Sequence, residues 1–332
     1  MKLLKNIWLY RIISIIFSLG IATPSMATYF EMVESLAKQG NASAQLSLAT
    51  MYYEGQGGRR YLIRMADRLE GLDNYAGNAF DDEGIPRDDE KAFEWFEKAA
   101  NQGLVEAQYK LAEAYDKGIG VSKDKVKAFE WYQTAANQGL REAQKSVALA
   151  YFVGEGINKN YTNAFTWFKK AGHQGNEDSQ YFVGWMYASG LGTPQNFGEA
   201  IKWYRKAAEQ GDLSSQKALG KIYNEGKVVV KNDKEAFKWY KKAAEQGNTF
   251  SQYTVGSMYE EGRGVTKDYI KAVKWYEEAS DMREGVAQFS LGKMYYNGKG
   301  VDQDKIKAIE LFGEACENEE DRGCKYYREL NN

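Results

Sequence analysis

Residues 215–247 read SQKALGKIYNEGKVVVKNDKEAFKWYKKAAEQG, and the features of this stretch return along the chain at one fixed spacing. Its Trp239 belongs to the row Trp95, Trp131, Trp167, Trp203, Trp239 and Trp275, each 36 residues after the last and continued by Leu311. Each is followed by an aromatic residue: Phe96, Tyr132, Phe168, Tyr204, Tyr240, Tyr276 and Phe312. Its Gln216 belongs to a second row, Gln108, Gln144, Gln180, Gln216, Gln252 and Gln288, trailed by Tyr115, Tyr151, Tyr187, Tyr223, Tyr259 and Tyr295. Chance does not align several rows at one period, so the chain is an array of one unit.

The spacing within a unit predicts two helices. Ala107, Leu111, Ala112 and Tyr115 share one face of a 3.6-residue helix, which stops where Gly118 and Gly120 permit left-handed backbone. A second helix is announced by Asp88, Asp124, Asn160, Asn196, Asn232, Asp268 and Asp304, whose side chains accept the free N–H groups of a first turn. Its buried face is Ala128, Trp131, Tyr132, Ala135 and Ala136, and it stops at Gly139. The Trp row, with Trp203 and Trp239 at its middle, is expected to fill the space between units.

The pattern A-Q-x-x-L-G-x-x-Y followed by W-Y-x-K-A-A-E-Q-G, nearly legible in residues 215–247 and again in 251–276, resembles the Sel-1-like repeat, a relative of the tetratricopeptide repeat. The resemblance covers about residues 40–330 and implies an all-α fold: an α/α solenoid, a right-handed superhelix of antiparallel helix pairs with a 36-residue repeat, used to hold other proteins. Residues 28–332 are then one solenoid, with partly degenerate repeats over 28–87, regular repeats over 88–315 and a C-terminal cap over 316–332. Departures are visible. Residues 58–87 lack the Trp-Tyr pair, and Val228 stands in place of the second loop glycine. The Ala-Cys…Gly-Cys arrangement around Cys316 and Cys324 is similar to the cysteine-rich secreted branch of the family, which implies a disulfide stapling consecutive helices.

Residues 1–27 place Lys2, Lys5 and Arg11 ahead of an apolar run over 12–22, then small residues at Ser25 and Ala27. This reads as a secretory signal cut after Ala27, because the run falls short of the roughly 20 residues of a bilayer span; an uncleaved anchor is the alternative. The expected location is periplasmic or secreted, with no integral membrane span after signal removal. The composition agrees with a soluble folder: 332 residues, 43% hydrophobic and 27% charged, with mean hydropathy −0.62. A net charge of −2 supplies no basic field, so no nucleic-acid partner is expected.

Candidate chemistry is sparse. The single His173 excludes multi-histidine metal cages, and it aligns with polar positions in the last turn of helix two. The cysteine-rich branch is associated with β-lactam binding and hydrolysis, which makes Ser-x-x-Lys worth testing. It occurs at Ser35/Lys38, Ser122/Lys125, Ser214/Lys217 and Ser290/Lys293, with no Ser-Asp-Asn and no Lys-Thr-Gly. No catalytic residue, metal or cofactor is therefore assigned. The reading is a non-enzymatic scaffold for a protein or peptide partner; a β-lactam-directed enzyme and a secreted factor acting on host cells are the alternatives.

The back of helix one carries the variable positions. Tyr109, Phe152, Tyr181, Trp185, Tyr253, Phe289 and Tyr296 lie there, interspersed with Lys145, Lys217 and Lys221. Trp185 is the one tryptophan outside both the leader and the period row. Tyr181 and Trp185 sit i, i+4 and are the expected centre of an aromatic partner-binding groove, the lysines pointing to an acidic or C-terminal carboxylate feature. Packing of these rings against the adjacent helix one is the competing account.

Overall fold

The computed structural model describes residues 26–55 and 86–331. Most of the expected leader and of the degenerate stretch, including Tyr61–Ala66 and Asp73–Phe80, lies outside the described residues. The described residues hold sixteen α-helices and no strand. In chain order they are α1 Met26–Lys38, α2 Ala42–Glu54, α3 Asp89–Asn101, α4 Val105–Lys117, α5 Lys125–Asn137, α6 Arg141–Val153, α7 Tyr161–His173 and α8 Glu177–Ser189. There follow α9 Phe197–Gln210, α10 Leu213–Glu225, α11 Asp233–Glu245, α12 Thr249–Glu261, α13 Tyr269–Asp281, α14 Gly285–Asn297, α15 Lys305–Glu317 and α16 Asp321–Leu330. They form two compact units, one up to Ala171 and one from Gly172 onward. Within each, consecutive helices pack as pairs, as an α/α repeat array requires.

The cap row does what its chemistry predicts. Asp88, Asp124, Asn160, Asn196, Asn232, Asp268 and Asp304 each accept from a first-turn N–H, at 2.9 to 3.1 Å. The loop glycines have a steric reason as well as a conformational one. At Gly264, with φ +69°, a Cβ would stand 2.0 Å from the carbonyl oxygen of Asp233, so the loop before α13 lies directly on the first turn of α11. Val228, in the equivalent loop one repeat earlier, is not among the positive-φ residues, and that turn takes another path with Val228 38% exposed.

The glutamine row is a hydrogen-bonded ladder. Gln108, Gln144 and Gln216 are buried and donate through Nε2 to Ala100, Ala136 and Ala208 in the helix before. Glutamines 30 residues on close rungs to the row: Gln138 donates to Gln108 at 2.6 Å, Gln210 to Gln180 at 2.7 Å and Gln246 to Gln216 at 2.8 Å. A buried amide needs such partners, since leaving one unpaired costs about 1–3 kcal/mol. Trp203 and Trp239 are 4% and 0% exposed, inside the core as expected. Trp239 packs with Ala208 of α9 and thereby fills the gap between successive second helices.

Candidate functional site

In the second unit, the residues following Gln180, Gln252 and Gln288 set their rings on the aromatic of the next helix two. Tyr181 lies 5.8 Å from Tyr204, Tyr253 stacks on Tyr276 at 5.9 Å, and Phe289 lies 5.6 Å from Phe312. In this unit a glycine stands three residues further along helix one, where the first unit has Ala112 after Tyr109. A Cβ on Gly184 would come within 2.8 Å of the Tyr204 ring, and one on Gly256 within 2.7 Å of Tyr276. Without it the helix-two ring settles onto the helix-one backbone and offers its edge as a platform.

Tyr181 and Trp185 are neighbours on α8, one turn apart and both half-buried. Both pack onto the cluster of Ala200, Tyr204, Ala208, Leu219 and Trp239, beside Ala218 and Ile222 of α10. Burial pushes the Tyr181 hydroxyl pKa up, and the Asp212 carboxylate adds to it. Tyr253 is also half-buried, its hydroxyl likewise raised by burial while Arg322 and a hydrogen bond with Ser290 act against that. Tyr296, half-buried near the end of α14, has the Lys305 ammonium 5.7 Å from its ring centre. Lys217 and Lys221 are exposed, Lys221 lying 3.8 Å from Glu225.

Phe289 departs from its expected place on the surface. It is 5% exposed, with Tyr326 of α16 at 5.3 Å and the Arg322 guanidinium 4.7 Å over its ring. The last helix covers the face that the equivalent ring keeps open in earlier repeats, so Phe289 is core. Cys316 and Cys324 are bonded, their Cα atoms 4.4 Å apart, which ties α15 to this same covering helix.

The first unit repeats the arrangement with its own residues. Tyr109 lies 5.5 Å from Tyr132, and burial foremost, then Glu113, raise its hydroxyl pKa against a hydrogen bond with Ser146. Phe152 sits 5.5 Å from Tyr161 and 6.3 Å from Phe168. Glu113, on the same outward side of α4, takes Lys110 at 2.7 Å and Lys117 at 2.9 Å. Burial pushes its carboxyl up, but the two ammonium groups outweigh that and hold it below the ordinary range. Except for Phe289, the rings expected on this surface are thus half-buried, one side packed and the other toward solvent. Sequence reasoning missed Phe250, 53% exposed in the first turn of α12 and 6.2 Å from Tyr240. Its signal was an aromatic in a row otherwise filled by Glu106, Glu142, Asp178, Ser214 and Val286.

Some of the groups tested for chemistry have partners of their own. Lys125 binds Asp116 and Glu155, at 2.6 and 2.8 Å. The Ser290 hydroxyl donates to the Val286 carbonyl. His173 is exposed, with its ring edge 4.9 Å from Trp203. Among the described residues no group of His, Cys, Asp and Glu is arranged to hold a metal ion.

The Sel1 repeat model matches residues 42–66, 74–104, 105–140, 141–176, 177–212, 213–248, 249–283 and 285–319. The chain belongs to the Sel1 repeat family. Proteins of this family are generally interaction scaffolds. Among solved structures it is similar to a protective antigen present in uropathogenic Escherichia coli strains, which displays an SLR fold, at 30% identity and TM-score 0.77. That match covers 91% of this chain, which spans 59% of the antigen's length. It is also similar to a Sel1 repeat protein from Oxalobacter formigenes, 26% identical over 95% of this chain and 92% of that one, with TM-score 0.60. None of the curated proteins matches the chain. Among the described residues no helix is long and apolar enough to cross a membrane.

Proposed function

We propose that this protein is a non-enzymatic scaffold of the cell envelope that takes a protein or peptide partner on the aromatic side of its first helices. The observation that carries the reading is the pair Tyr181 and Trp185, each ring supported from behind and half-open in front. Rings held in one orientation lose little entropy on binding, and aromatic anchors of this kind dominate interface energies. Tyr253 extends the row within the second unit, while Tyr109 and Phe152 form its counterpart in the first. Tyr296, with Lys305 over its ring, is a candidate at the margin. Lys217 and Lys221 favour an acidic or C-terminal carboxylate feature on the partner.

Export rests on three supports: the leader-like residues 1–27, the Cys316–Cys324 bond, which persists in oxidising compartments, and likeness to a protein described as a protective antigen. The last also favours a second reading, release from the cell and contact with a host.

Site-specific photocrosslinking in cells distinguishes faces. A crosslinking amino acid at Trp185 or Tyr253 is expected to trap a discrete envelope protein, and the same group at the exposed Glu130 on the second helix α5 is expected not to. Equal adducts from both sites would remove the first-helix row as the binding surface. Isolating the adducts from culture medium would support the host-directed reading.

A further inference from the structure

The outward face of the second helices carries a sign reversal that the scaffold reading does not use. The positions one residue before and three after each member of the Trp row, Leu311 included, lie on the outward side, exposed except for the half-buried Lys242. In α9 and α11 they are Lys202 with Lys206, and Lys238 with Lys242; in α15 they are Glu310 with Glu314. In α13 the reversal is half made, Lys274 with Glu278.

These charges are held in place. Lys206 stands 4.5 Å over Trp203, while Lys238 and Lys242 stand 4.7 and 5.4 Å over Trp239. Glu278 and Glu314 accept from Gln252 and Gln288, both at 3.1 Å. Their hydrogen-bond partners are neutral amides, and among the described residues neither carboxylate has an ion-pair partner. Neighbouring Lys202, Arg205 and Lys241 are offset by Glu199, Glu235 and Glu245, at 2.7, 3.8 and 3.5 Å.

We propose that this face is the docking surface for a second copy of the chain, the two related by a two-fold axis between α11 and α13. Successive second helices share core clusters and present the same repeat position outward. A two-fold axis there sets α9 opposite the partner copy's α15 and α11 opposite its α13. Lys206 then meets Glu314 and Lys242 meets Glu278, each contact made twice as an isologous interface requires, with Lys238 facing Lys274 as the like-charged exception. A uniform polyanion fits less well, because within two helices of the lysines it meets Glu278, Glu310 and Glu314. The face calls for a partner with both signs in reverse order, which this chain itself supplies.

Charge-swap sedimentation tests the proposal. One variant carries Lys206→Glu, Lys238→Glu and Lys242→Glu; the other carries Glu278→Lys, Glu310→Lys and Glu314→Lys. Every introduced residue already occupies that repeat position elsewhere in the chain, and helicity and melting are checked against the parent. The parent is expected to dimerise at about 20 mM salt and dissociate at about 500 mM, where the screening length falls from roughly 20 Å to about 4 Å. Each variant alone is expected to associate at least about tenfold more weakly, and the two mixed to recover a heterodimer. A parent that stays monomeric at low salt overturns the proposal, as does a variant that dimerises like the parent or a mixture that stays monomeric. So does retention on heparin without dimerisation, which would make the lysines a polyanion site.

Discussion

The loop after α11 and the loop after α13 join the same two kinds of helix, yet they solve the junction differently. The first uses Gln246 and Gly247: the glutamine closes the rung on Gln216, and the glycine takes φ +81° without a Cβ penalty. The second uses Met282 and Arg283. Met282 is 65% exposed and brings no donor, so the buried Oε1 of Gln252 finds none among the described residues. Arg283 is forced to φ 60°. One junction later Asn318 restores the rung to Gln288 at 2.9 Å, while Glu319 keeps a positive φ of 64°. Array positions that look alike in helix content therefore differ in how well their buried polar groups are satisfied. The weaker junctions lie next to the repeat that carries the disulfide.

The predictions test that contrast, beginning with the tryptophans. Trp239→Ala is expected to cost about 3–5 kcal/mol, since Trp239 is fully buried. Trp275→Ala, at a half-buried site, should cost less than about half of that in the same denaturant titration. Equal losses would mean the two regions are packed alike and the contrast is confined to loops.

Removing the staple should act only at the far end. Cys316→Ser with Cys324→Ser is expected to cost about 2–3 kcal/mol locally, the chain-entropy value for so short a loop. Hydrogen exchange should accelerate in α16 and around Phe289, whose cover Tyr326 and Arg322 provide, and leave α9 to α11 unchanged. Acceleration throughout would show that the terminal repeat holds the rest together.

Exchanging the loops isolates the junction itself. Met282→Gln with Arg283→Gly supplies the missing donor and relieves the backbone, and is expected to stabilise by about 1–2 kcal/mol. Gln246→Met with Gly247→Arg should destabilise by a similar amount. If the first pair is neutral by melting, Gln252 is satisfied through solvent.

The smallest effect concerns the caps. Asn232 caps α11 without a titrating group, whereas Asp268 caps α13, its carboxyl held below the usual range by the Lys271 backbone N–H foremost and by the Lys271 side chain. A lowered folded-state value means this contribution is complete above the ordinary carboxyl pKa of about 3.9 and is lost as pH falls through the lower value. Asp268→Asn should remove that acid-side slope from the exchange of α13 while keeping the cap. An unchanged slope would assign it to another carboxylate.

Most of the helical architecture was readable before any coordinates, because helix boundaries are set locally. A cap oxygen reaches only its own first turn, and the cap row from Asp88 to Asp304 reads the same in both descriptions. The row of glutamines was readable as a row but not as a ladder, since its partners sit 30 residues away and no local rule names them. The candidate site was half legible. Tyr181 and Trp185 were placed on the outward side of helix one by helical geometry alone, but the support of Tyr181 by Tyr204 depends on Gly184 letting a ring approach the backbone. Phe289 shares its row with Tyr181 and Tyr253 and ends in the core. The period of the sequence determined what each position is; which positions stay open was decided by the neighbour each repeat receives. At the end of the array that neighbour is α16, whose Tyr326 and Arg322 shut a face that the earlier repeats leave half-open.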